Sequence, residues 1–164
     1  MEWKFAYDGP PEADITFGSG LIEIDATSEA PEGTVAVFLE PFGRDSARAT
    51  EAIESAEVAF DDGRLRVRVP QRHGRDVPLH LRASLARGAG LRVKCSSADV
   101  EVRGELSGLD VKSASGDVAA GDVAGQVRAT TASGDLRIGS VTGELRVSSA
   151  SGDVEALSAA GADI

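Results

Sequence analysis

Four aspartates recur at intervals of 18 residues in the second half of the chain. They are Asp99, Asp117, Asp135 and Asp153, and each follows a short run of small residues that is rich in serine. Carboxylates stacked at one such position would repel one another by about 1 kcal/mol per neighbouring pair in water. Either backbone N–H groups at a turn bind each carboxylate, or a cation such as Ca²⁺ lies between the copies. The turn is favoured, because calcium-binding nonapeptide repeats carry more glycine and aspartate than this sequence.

Other residue types that do chemistry are scattered. His73 and His80 lie seven apart, and a metal site there would need further ligands nearby. His80 stands between two leucines that are predicted to point inward, so we expect it to face outward. Cys95 occupies a column of serine and threonine, which predicts a small buried thiol and not a nucleophile. Serines are abundant but no nucleophile-elbow motif occurs, and the sequence therefore predicts no catalytic residue, no cofactor and no enzyme.

An arginine stripe is the strongest candidate for an interaction site. Arg64, Arg66 and Arg68 alternate with apolar residues, so one strand would present all three on one face. They are either a solvated face, a charged guard on an edge strand, or a docking site for an acidic protein partner. No glycine-rich loop stands between a strand and a helix, which gives nucleotide binding no support.

Charge and hydropathy limit the partners. The formal net charge is −10 and the pI is about 4.6, so the chain repels phosphate backbones, and nucleic acid is excluded as the main partner. No apolar run reaches the ~20 residues of a membrane helix, which predicts no direct membrane insertion. The acidic, aromatic start is unlike a signal peptide, and the expected location is cytoplasmic. The single cysteine excludes an internal disulfide.

The elements that carry these residues follow the same 18-residue period. Leu91, Leu109, Val127 and Leu145 repeat in step with the aspartates, and apolar residues alternate within each copy as in a strand. Such a copy cannot bury its apolar face alone, so the copies must stack into one narrow core. The sequence predicts an all-β β-solenoid with 18-residue coils and four copies over 89–164. All seven aromatic residues lie at or before Phe60, which suits a slim interior.

The sequence of residues 1–88 predicts a β-rich cap at the N-terminal end of the solenoid. One short helix is expected near 46–57, where Ala49, Ala52, Ile53 and Ala56 recur at helical spacing. Asp62-Gly63 between two alternating segments predicts a hairpin. The cap would carry the aromatic core and seal the first end of the solenoid. The other end has no such segment, so we expect the chain either to continue as a longer solenoid or to self-associate through an open last coil.

The segments FGSGLIEIDA, DDGRLRVRVP, SSADVEV and SASGDV resemble a bacterial β-strand-repeat family of toastrack-like domains, whose members are named "putative adhesin". The resemblance covers nearly the whole chain. It implies a right-handed β-helical body and a non-enzymatic scaffold or protein-interaction module, placed beside envelope-stress or transcription-regulatory modules. It supplies no catalytic residue. The alternative is a surface adhesin or a polysaccharide-binding β-helix, which would require export and outward aromatic residues along the repeats.

Overall fold

A computed structural model describes residues 1–27, 34–43, 47–70 and 77–163 of the protein. The described part is all-β with one helix, α1 (Ala47–Glu54). The strands are β1 (Glu2–Ala6), β2 (Glu12–Ala26), β3 (Thr34–Pro41), β4 (Glu57–Asp61), β5 (Arg64–Arg68), β6 (Leu79–Ser84), β7 (Ala89–Ser113), β8 (Val118–Ala120), β9 (Asp122–Val123), β10 (Val127–Thr131), β11 (Leu136–Ser149) and β12 (Val154–Asp163). All of them belong to one continuous hydrogen-bonded sheet.

The repeated segments stack on one another as parallel strands. Val127 of β10 pairs with Leu109 of β7 on one side and with Leu145 of β11 on the other. β8 likewise lies between β7 and β11, so equivalent residues of successive repeats are neighbours. The apolar columns therefore meet their own kind above and below, and this is why isolated repeats could not bury them.

The predicted inward columns of leucine and valine are buried, whereas the serine and threonine column is exposed at Ser149. Leu145 is 0% exposed and Leu109 3%, and Val111 in the next column is 1% exposed. The neighbours Lys112 and Arg146 are exposed, as the strand alternation requires. Burial weakens towards β12, where Val154 is only partly covered. Burying each such Val or Leu contributes about 1.5–3 kcal/mol, so these columns are the main source of stability.

β2 extends the stack towards the N-terminus, which the repeat pattern did not reveal. It runs parallel to β7 from the pair Glu12 with Gly90 to the pair Ala26 with Gly104. Within β2, Gly20 has φ of 118° and pairs with Ala98 of the first repeat. β2 keeps the alternation of the repeats but lacks the Ser-Gly-Asp signature, and the β3–β6 segment separates it from them. Only the pairing shows that it stacks on them.

Antiparallel strands are added to the stack at its N-terminal end. β4 and β5 form the predicted hairpin, whose turn residues Asp62 and Gly63 have φ of 51° and 73°. β5 also pairs in parallel with β2, so it lies between two strands. The interpretation of the arginine stripe as a guard on an edge strand is therefore wrong. On the other side of the stack, β6 pairs with β3 and β3 with β1.

Aromatic side chains join β1 to β4. Phe5 stacks on Phe60 with ring centroids 5.4 Å apart, and Tyr7 meets Phe60 edge-on at 5.2 Å. These rings are half-buried, and among the described aromatic residues only Phe17 belongs to the fully covered core. The predicted aromatic core is thus mainly a cluster at one end of the stack. It covers apolar surface that would otherwise meet water.

Helix α1 is shorter than the predicted 46–57. It buries Ala49 and Ile53 and ends at Glu54, because β4 begins at Glu57 and needs an extended backbone. The helical spacing of the alanines is confirmed on its buried side. His73 lies outside the described residues, whereas His80 lies on β6.

Candidate interaction surface

One side of the stack carries most of the basic side chains of the repeats. It is formed by β5, the first half of β2, two parts of β7, β10 and the last part of β11, and its outward residues alternate with the buried columns. We call this side the basic face. Its basic residues are Arg64, Arg66, Arg68, Arg92, Lys94, Lys112, Arg128 and Arg146, and its acidic residues are Glu12, Asp14, Asp110 and Glu144.

Strand register fixes the order of charges along the middle of the basic face. Asp14 stands between Arg66 and Arg92, and Asp110 pairs with Arg128 on the next repeat. Opposite charges on adjacent strands attract, so most of this row is internally matched. This alternation of opposite charges ends at Arg128, because the residue that pairs with it on β11 is another arginine, Arg146.

Three ion pairs use part of the positive charge. Arg64 lies 3.4 Å from Glu12 and Arg92 lies 3.8 Å from Asp110. Arg146 turns sideways to Glu144, with 2.7 Å between Nε and Oε1. Within the described part of the chain, the remaining basic side chains of the face have no ion-pair partner: Arg66, Arg68, Lys94, Lys112 and Arg128. The arginine stripe is therefore one end of a larger positive surface, and sequence reasoning missed the rest of it.

A shallow groove of about 510 Å³ crosses the strands of the basic face. Its floor is formed by Gly90 and Gly108, which stand at equivalent positions of two successive repeats and bear no side chain. Arg92 and Arg128 line the groove two residues after Gly90 and Gln126, and Ser107 lines it directly before Gly108. Because the lining is polar and charged, the groove suits a hydrophilic ligand.

The opposite side of the stack is acidic. Its outward positions come from the second half of β2, the middle of β7, β8, the start of β11 and the start of β12, together with β3 and β6. We call it the acidic face. Its acidic residues are Glu23, Asp25, Glu40, Asp99, Glu101, Asp117, Asp135, Asp153 and Glu155, against Arg82, Arg103 and Arg137. Charge is thus separated between two sides of the stack.

The aspartate column belongs to the acidic face and is used for stacking. Oδ1 of Asp99 accepts a hydrogen bond of 2.9 Å from the backbone N–H of Asp117, and Asp117 accepts one from Asp135 at the same distance. Asp135 accepts from Asp153 at 3.0 Å. The glycine before each of the last three has positive φ, as the turn interpretation predicted. Within the described residues, no group of three His, Cys, Asp or Glu side chains is arranged around a metal position.

Removing one of these carboxylates should therefore cost stability by a route that involves no metal. We expect Asp117→Ala to lower the free energy of unfolding by about 1 kcal/mol, because the N–H of Asp135 loses its acceptor in an exposed turn. Asp117→Asn keeps an oxygen acceptor and should cost less. Thermal melts with and without EDTA should coincide for wild type and both variants. A drop in melting temperature on adding EDTA that Ca²⁺ restores would favour the cation interpretation instead.

His80 is held between two carboxylates on the acidic face. Nδ1 lies 3.2 Å from Oε1 of Glu40, and Nε2 lies 3.1 Å from Oε2 of Glu23 without the alignment of a hydrogen bond. The hydrogen bond that Arg82 donates to Glu40, at 2.6 Å, holds the pKa of Glu40 below its usual value. The side chain points outward as predicted, but only 16% of it is exposed. The cluster joins β6 to β2 and β3, because Glu23 lies on β2 and Glu40 on β3.

Cys95 lies in the interior of the stack. Burial raises the pKa of its thiol, which favours the unreactive protonated form. Its Sγ points to the carbonyl oxygen of Ala98 at 3.8 Å. Ser113 and Thr131, in the same column, donate to the carbonyls of residues two further along, at 2.7 and 2.8 Å. The column thus satisfies turn carbonyls, which is a structural role.

The family described as Toastrack DUF4097 matches residues 13–164. No curated protein matches the sequence. Among solved structures, a "putative cell adhesion protein" from Clostridium sporogenes is similar with a TM-score of 0.69 and 11% identity, over 97% of this chain and 99% of that one.

A "putative adhesin" from Parabacteroides distasonis has a TM-score of 0.50 and 13% identity, over 97% of this chain and 74% of that one. At these identities the two structures support the fold alone. No helix of the described residues has the length and apolar character to cross a membrane. The family match spans nearly the whole chain, including β2 and the β4–β5 hairpin that the repeat pattern left out, and this chain belongs to the Toastrack DUF4097 family.

Proposed function

We propose that the protein is a non-enzymatic protein-interaction module, and that its basic face binds an acidic protein partner. The body of the module is a right-handed β-solenoid with 18-residue coils, and residues 1–88 act as its cap. The parallel pairing of equivalent residues in successive repeats supports this description. The aromatic cluster of Phe5, Tyr7 and Phe60 supports the capping role, because it covers one end of the stack.

The observation that carries the proposal is the unpaired positive charge on one face of a chain with a net charge of −10. Lys94 and Lys112 stand at equivalent positions of successive repeats, in two parts of β7, and like charges that face each other in a sheet destabilise it. Arg128 also has an arginine as its neighbour, Arg146, whose charge is partly offset by Glu144. A partner that supplies carboxylates would relieve this repulsion and gain complementary electrostatics, which raises both specificity and association rate.

A charge-reversal pair tests the function. We expect Lys112→Glu with Arg128→Glu to weaken partner binding by at least about tenfold, since two attractions become repulsions. Arg103→Glu with Arg137→Glu, on the acidic face, changes the net charge equally and should bind as wild type. Partners captured from native extract by wild type and by the control, and lost by the basic-face variant, would then be purified and titrated. Equal binding by the two double variants would contradict the proposal.

Surface adhesion is the second candidate. The name of the similar Clostridium sporogenes protein favours it, and the same face would then meet a partner outside the cell. A polysaccharide ligand has less support, because sugars stack on aromatic rings and the repeats contain no aromatic residue after Phe60. The cytoplasmic location, and a platform role in envelope-stress or regulatory complexes, also remain proposals. Fractionation of the native organism distinguishes the compartments.

Self-association is proposed for β12. This strand pairs with β11 along one side, and in the described part of the chain nothing pairs with its other side. Unpaired N–H and C=O groups favour the addition of another strand. Light scattering during the titrations above reports whether a second copy adds there, and the contact would be unaffected by either charge-reversal pair.

A further inference from the structure

We propose that the groove over Gly90 and Gly108 holds an extended acidic segment of the partner polypeptide, with its carboxylates against Arg128 and the neighbouring basic side chains. This inference rests on the proposed function and specifies how the partner lies on the basic face. The groove crosses from Glu12 and Arg64 at one end to Gln126 and Arg128 at the other, so it runs across the strands.

The two glycines of the floor are not needed by the fold. Neither has a positive φ. A Cβ on Gly108 would come no closer than 3.7 Å to any atom, and one on Gly90 no closer than 3.6 Å, which are ordinary contacts. By contrast, a Cβ on Gly125 of the same corner region would come within 2.0 Å of the Ser107 carbonyl oxygen. The bare floor therefore has no local cause, and its effect is to let another molecule approach the sheet closely.

The residues that line the groove include hydrogen-bond donors. Arg128 is exposed and has no ion-pair partner among the described residues, while Arg92 forms an ion pair with Asp110. Ser107 and Gln126 add a hydroxyl and an amide, both exposed. Successive strands are about 4.8 Å apart, so Arg64 and Gln126 at the two ends of the groove are about 19 Å apart, the length of roughly six residues of an extended chain.

The acidic residues of the face favour a polypeptide over a uniform polyanion. Asp14 and Asp110 stand in the same row as the arginines, and Glu12 closes one end of the groove. A polymer with a negative charge on every unit would meet these carboxylates wherever it lay. A peptide can place its acidic residues against the basic positions and neutral residues elsewhere, so charge complementarity selects it.

The test uses a fluorescein-labelled peptide of alternating glutamate and serine, about twelve residues long so that it exceeds the groove. Binding to the full chain is followed by fluorescence anisotropy at low salt. We expect Gly108→Leu, which fills the floor, to weaken binding by at least about tenfold. Gly108→Thr fills it with a residue that strands favour, and it serves if the leucine variant does not fold. Ala119→Leu, at an exposed position of the acidic face, should bind as wild type.

The possible results distinguish failure of the groove as the binding site from failure of the proposed function of the basic face. If the groove-filling variants bind the peptide as wild type does while Lys112→Glu with Arg128→Glu does not, the groove is not the binding site. In that case the proposal that the basic face binds an acidic partner is retained. If linear polyphosphate binds more tightly than the peptide and displaces it, the polypeptide assignment is overturned. If charge reversal also leaves peptide binding unchanged, both the groove and the proposed function fail. Loss of binding on filling the floor, with the Ala119→Leu control intact, supports the inference.

Discussion

Val111→Asp is expected to lower the free energy of unfolding by about 3–5 kcal/mol, a large part of the stability of a domain of this size. Val111 is 1% exposed and lies in the stack between the equivalent residues of the adjacent repeats, one of which is Ala129. Both neighbours in the column, Val93 and Ala129, are apolar. The charge would be buried without a partner, and the adjacent repeats could not move apart without losing their own pairing. Chemical denaturation with urea measures the difference.

Lys112→Asp is the matched control, since it changes the next residue on the same strand. Lys112 is exposed, and the substitution also reduces the repulsion from Lys94. Its effect should stay within about 0.5 kcal/mol, as for most surface substitutions. Equal losses from the two variants would mean that the inward and outward positions of the repeats are misassigned.

The repeats could be predicted because their signal is local and redundant. One column keeps the same spacing and the same apolar character in all four repeats: Leu91, Leu109, Val127 and Leu145. The sequence alone therefore predicts which residues stack on one another and which face of each strand is buried. β2 carries the same alternation in Ile22 and Ile24 but at a different distance along the chain. β2 pairs with β7 because the strands between them in the sequence leave that edge of the stack free. This pairing is decided by tertiary packing, so it cannot be predicted from a short-range sequence pattern.

The basic face, too, could be predicted from the sequence only in part. Arg64, Arg66 and Arg68 were evident because they lie on one strand. Lys94, Lys112 and Arg128 look like ordinary solvated positions of separate repeats, and only the pairing of β5 with β2, and of β2 with β7, places them beside the stripe. An 18-residue column count would have found Lys94 next to Lys112. It would not have shown that the arginines join them.

The second large effect is expected at the corner glycines, where Gly134→Ala should cost about 3 kcal/mol. Gly134 has φ of 124°, in which a side chain is strained. In addition, its Cβ would come within 2.2 Å of the carbonyl oxygen of Gly116 in the repeat before it. Gly116 and Gly152 are built alike, so the corner column brings backbones of successive repeats into close contact. Relief would require the two repeats to separate, and the hydrogen bond from Asp135 N–H to Asp117 would lengthen with them.

Gly108→Ala provides the control for this prediction. Gly108 has no positive φ, and an alanine there meets only an ordinary contact of 3.7 Å with the Gln126 carbonyl oxygen. Alanine restricts the unfolded chain more than glycine does, so we expect Gly108→Ala to be neutral or to stabilise by up to about 1 kcal/mol. Opposite signs for the two glycine-to-alanine changes, measured by urea denaturation, would separate glycines that the stack requires from those that leave the groove open. A large loss at Gly108 would instead make its missing side chain a requirement of folding, and the groove floor would no longer need a ligand to explain it.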